Sequence, residues 1–161
     1  MLGVDYVERE FNNAQNSLTP FYHCDYWGRG VIRRPARIAK QFATNGVDIN
    51  GTDPVAYFTM SKPVLGNADQ AFKWNGDTWH FASGENRQTF ERDPEKYAPQ
   101  YGGHCVYAMS KGYIAPTVPE AWTIYEDRLY LNFSLRAREL WLQDVPGNIA
   151  LGDANWPKLK D

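Results

Sequence analysis

The dipeptide Asn75-Gly76 sits inside "AFKWNGDTWHFAS", with aromatic residues on both sides. A two-residue type I′ turn needs positive φ at both central positions, and Asn-Gly adopts them at the least steric cost. The chain is therefore expected to double back there, pairing its two flanks as antiparallel strands. Trp74, Trp79 and Phe81, with Tyr107 further along, are read as hairpin core rather than as a stacking platform, because cross-strand aromatic pairs hold small sheets. A second hairpin is expected in "AWTIYEDRLYLNF", with its bend at Glu126-Asp127-Arg128.

Helix starts punctuate the same region. "GVDING" reads as a short strand ending in an Asn50-Gly51 turn. Asp53 followed by Pro54 combines an N-cap with a residue suited to the first helical position. Ser83 precedes "GENRQTFERD", with Glu85 in the first turn where the helix dipole favours acid. Asp93-Pro94 starts "PEKYAPQY", and Ser134 caps "LRARELWLQD". Pro146-Gly147 is expected to break that helix, leaving "NIALGDANWP" as a last short one. The fold class this implies is α+β: two aromatic β-hairpins interleaved with short helices.

With 161 residues, the chain accommodates one domain and an extension. Residues 1–43 read as the extension and 44–161 as the domain. The net charge of −2 gives no global reason to expect nucleic acid as a partner. No apolar run approaches the roughly 18–20 residues that span a bilayer. The first residues carry Asp5, Glu8 and Glu10 and no apolar core, so they do not read as a secretory signal. Residues 26–47 hold Arg29, Arg33, Arg34, Arg37 and Lys40 with no acid. That stretch is either a docking surface for a protein partner or membrane face, or a solvated basic loop and helix.

Three histidines and two cysteines are present, and both thiols follow an imidazole: His23-Cys24 and His104-Cys105. Cys105, His104 and Met109 lie close in sequence, and His80 on the hairpin is a further candidate ligand. Thiolate, imidazole and thioether together suit copper, above all Cu(I). The spacing matches no paired C-x-x-C zinc pattern, and adjacent His-Cys side chains diverge on either a strand or a helix. Cys105 as a small buried hydrophobe is the competing reading. A helix start after Gly102-Gly103, beside His104, would lower the thiol pKa. A Cys24–Cys105 disulfide, if formed, would contribute roughly 4 kcal/mol on a chain-entropy model. No nucleotide-binding or haem-attachment motif and no hydrolase or transferase motif appears.

Four segments in order, "NGVDINGTDPVAYF", "WNGDTWHFASGENRQTFERDPEKYAPQYGGHC", "AWTIYEDRLYLNFS" and "WLQDVPGNIALGDANWP", resemble the YHS-domain proteins, most closely their secreted or periplasmic bacterial branch. The resemblance covers roughly residues 44–157 and implies a small treble-clef-like module in an extracytoplasmic setting. At the positions where metal-handling members carry cysteine, this chain has Ala56 and Ala82. The name-giving residues correspond to Trp79, His80 and Ser83. The expectation is a non-enzymatic YHS-domain protein that binds a soft metal, copper first, as carrier or accessory to a metal-dependent system. Its ligands would be Cys105, His104, His80 and Met109, with His23 and Cys24 completing a site if the N-terminal arm folds over. The alternative is a metal-free structural or interaction subunit docking on a larger assembly through residues 1–43.

Overall fold

The computed structural model describes residues 41–160, and every structural statement below concerns them. The Asn75-Gly76 turn forms with φ of 53° and 99°. It joins β3 (Asn67–Trp74) to β4 (Asp77–Phe81). The antiparallel register pairs Trp74 with Asp77 and Phe72 with Trp79, then slips between Asn67 and Ala71. Upstream, β1 (Ala43–Thr44) and β2 (Val47–Asp48) form a small antiparallel pair, and β2 runs parallel to β4. The sheet order is β1-β2-β4-β3. Gln41–Ala43 thus join the same body: the Phe42 N–H donates to Gly102 O, and Phe42 O accepts from the Ile49 N–H.

Helix starts follow the expected caps. Asp53 Oδ1 accepts from the Val55 and Ala56 N–H groups at the start of α1 (Pro54–Thr59). Ser83 Oγ caps α2 (Gly84–Arg92), and Asp93 caps α3 (Pro94–Tyr97). A 3-10 turn, Gln100–Gly103, leads into α4 (Val106–Ser110). The second hairpin, β5 (Trp122–Tyr125) and β6 (Arg128–Leu131), forms a separate two-stranded sheet. Its turn is the pair Glu126-Asp127, and Arg128 already belongs to β6. Ser134 caps α5 (Leu135–Leu142).

Pro146-Gly147 does not end the helical run but helps to begin α6 (Val145–Leu159). Asp144 Oδ1 accepts from the Gly147 N–H at 3.0 Å. Proline in a first turn loses no intrahelical bond, since that N–H would have none. The fold is α+β.

Two cores divide the molecule. In the sheet half, Phe90 of α2 is the hub: Phe72, Trp74, Trp79 and Phe81 surround it with ring centroids 5.0–6.4 Å away. In the helical half, Tyr101, Val106, Met109, Tyr130 and Trp141 pack together, beside a smaller group of Cys105, Ala108, Ala115 and Ala137. The Gln100–Gly103 turn lies where the halves meet. Gly103 has φ +76°, and a Cβ there would come within 2.7 Å of Ile49 Cγ2. Only glycine fits both the conformation and the space.

Candidate functional site

The four described candidate metal ligands occupy different surroundings. Cys105 is fully buried and a free thiol. It is the N-cap of α4: the Ala108 N–H donates to Sγ at 3.5 Å, and Sγ lies 3.8 Å from Asn132 Oδ1. Asn132 Oδ1 also accepts from the Tyr107 N–H. Burial raises the thiol pKa to about 11, while the backbone N–H groups of Ala108, Phe133 and Tyr107 pull it only partway back. The expected lowering therefore reverses, because desolvation of the thiolate outweighs the donors around it.

Met109 lies at the other end of α4, against the rings of the second core rather than the alanines around Cys105. His104 is buried, its ring 6.0 Å from that of Phe42 and 6.1 Å from that of Trp156. Adjacent residues on an extended chain point apart, and here His104 and Cys105 serve different packing groups. His80 follows the same alternation in β4. Trp79 and Phe81 face the core, so His80 faces the opposite side of the sheet. There it lines an open groove of about 570 Å³ with Val47, Gly51, Leu65, Gly66 and Ala68. Gly66 passes so close to the His80 backbone that no Cβ fits. Among the described residues, no three His, Cys, Asp or Glu side chains are grouped to hold a metal ion. His23, Cys24, Arg29, Arg33, Arg34, Arg37 and Lys40 lie outside the described residues. No described helix is long and apolar enough to cross a membrane.

Two buried aspartates escaped sequence reasoning in different degrees. Asp53 was legible as a cap, but it also binds across the fold. Its Oδ2 accepts from the Ala82 N–H at 2.8 Å and the Asn86 side-chain amide at 2.6 Å. Asp48 is equally buried, and neither of its carboxylate oxygens has a hydrogen-bond partner among the described residues. Burial, and secondarily the charge of Asp77, raise its pKa from 3.8 to about 8. The Ile49 N–H offsets this only weakly, being engaged with Phe42 O. Asp48 is thus mainly a neutral acid at pH 7.

A second concavity, of about 330 Å³, opens between the tip of the first hairpin and the C-terminal end of α6. Trp74, Tyr101 and Trp156 provide rings, and Gln41, Glu95 and Lys160 provide polar groups. The Tyr101 hydroxyl is already committed, 2.9 Å from Asp153 Oδ1 and 3.2 Å from Ile149 O. Gln41 is 5% exposed, and its Oε1 has no hydrogen-bond partner among the described residues. No local motif announces this site, since its walls come from four separate segments. Compared with models of protein families, with curated proteins and with solved structures, the chain matches none.

Proposed function

We propose that this chain is a non-enzymatic, YHS-like, treble-clef-type module that acts as a metal-free structural and interaction subunit. The observation that carries this reading is Cys105. Its sulfur is fully buried, caps α4, and holds its proton to about pH 11. A Cu(I) ligand must be a thiolate and must be reachable. His80 and Met109 face other parts of the fold and add no ready second ligand. Partner docking is assigned to residues 1–43 through Arg29, Arg33, Arg34, Arg37 and Lys40, and the family likeness favours an extracytoplasmic setting.

Anaerobic Cu(I) titration of the reduced protein against a competing chelator tests the metal-free half. The expected result is no binding tighter than the chelator, with Cys105→Ala and His104→Ala behaving as wild type. Tight binding lost in both variants would overturn it and restore the soft-metal carrier with Cys105 as anchor. The docking half is tested by photo-crosslinking from position 33. Partner adducts that survive reversal of the other four basic charges would remove those charges from the interface.

A further inference from the structure

We propose that the cavity between the Trp74 hairpin tip and the end of α6 binds a single neutral saccharide unit. Residues 95–102 and the pair Trp156 and Lys160 are far apart in the chain and converge on this one space. Its volume of about 330 Å³ falls at the lower end of small-molecule sites, roughly 300–1,000 Å³. That suits one sugar ring.

The lining selects the chemistry. Trp74 and Trp156 are half-buried and line the cavity, while Tyr101 is buried beside them, its ring packed on Trp156 and its hydroxyl bonded to Asp153. Flat rings suit the apolar C–H face of a pyranose. The most buried polar group is an amide, Gln41, and not a charge. Its unpartnered Oε1 is an acceptor whose satisfaction calls for a ligand donor such as a hydroxyl, once the terminal amide turns toward the cavity. The two charged residues, Glu95 and Lys160, are opposite in sign and more exposed than Gln41. Their charges cancel, so the rim gives no net preference to an anion or a cation. A neutral ring with hydroxyls around its edge uses all of these groups.

The inference goes beyond the metal-free reading and stands or falls independently of Cu(I) binding. Saturation-transfer NMR on the full chain, with D-glucose, N-acetyl-D-glucosamine, cellobiose and chitobiose as probes, tests it. The expected result is saturable transfer to at least one sugar, accompanied by a shift in tryptophan emission. Gln41→Met and Glu95→Ala, each checked for native circular dichroism, should weaken that affinity about fivefold to tenfold, the loss of one hydrogen bond. Leu65→Ala, in the groove beside His80, should leave it unchanged. Absence of saturable transfer with all four sugars overturns the proposal. So does binding that both cavity variants retain, or binding that Leu65→Ala weakens as much as they do.

Discussion

Asp48 and Asp53 lie five residues apart, are equally inaccessible to solvent, and have opposite surroundings. Asp53 is ringed by donors: two backbone N–H groups of α1, one from Ala82 and the Asn86 amide. It joins the first helix to the end of β4 and the start of α2. Asp48, on β2 beside the turn at Gly103, has none of this and holds its proton to about pH 8. Burial alone therefore says little about what a carboxyl does. The donors within reach decide whether burying it stabilises the fold or costs free energy.

The largest effect that would sharpen the contrast is at Asp53. Asp53→Ala should cost about 3–5 kcal/mol in urea unfolding at pH 7, since it orphans several buried donors at once. A loss below 1 kcal/mol would show that the network is replaceable by water. Asp48→Asn should move the other way. The folded pKa of Asp48 lies above its ordinary value of 3.8, so its contribution is fully present below about pH 4 and is lost as pH rises toward 8. The variant should nearly equal wild type at pH 4 and exceed it by about 5 kcal/mol at pH 8. A difference that does not change with pH would break the comparison.

Cys105 provides an intermediate case, a buried acid with donors too weak to offset desolvation. Cys105→Ala should cost about 1–2 kcal/mol, and Cys105→Ser less, because a hydroxyl also caps a helix. In the native protein the thiol should resist iodoacetamide at pH 7.5 and react on unfolding. Rapid native alkylation would contradict its raised pKa. The smallest effect is a control away from all three sites. Glu126→Asn with Asp127→Gly relieves two non-glycine residues at φ of 48° and 56° and should gain roughly 0.5–1 kcal/mol. No gain in urea unfolding at pH 7 would show that this turn carries no such strain.

Much of the local architecture was legible because its causes are local. Asn75-Gly76, Asp53-Pro54, Ser83, Asp93-Pro94 and Ser134 each carry their instruction within three or four residues, and each element starts where expected. Pro146-Gly147 misled because proline both stops a helix and opens one, and Asp144 upstream determines which. The environments of Cys105 and Asp48 were illegible for a different reason. A neighbour such as Asn132 or Asp77 reaches them only through folding, so nothing beside them in sequence signals burial. The cavity at Gln41 likewise exists only once distant segments meet.

The slipped register in β3 has a bearing on how the molecule behaves in a crowd. β3 is one border of the four-stranded sheet, and at eight residues it is long enough to recruit another chain's backbone. The interruption between Asn67 and Ala71 breaks its regular outline, and Asp69 and Lys73 place exposed charges along it. The opposite border, β1, is only two residues long. Among the described residues neither border presents a long, flat, uncharged template, so the sheet resists pairing with a neighbour's strand.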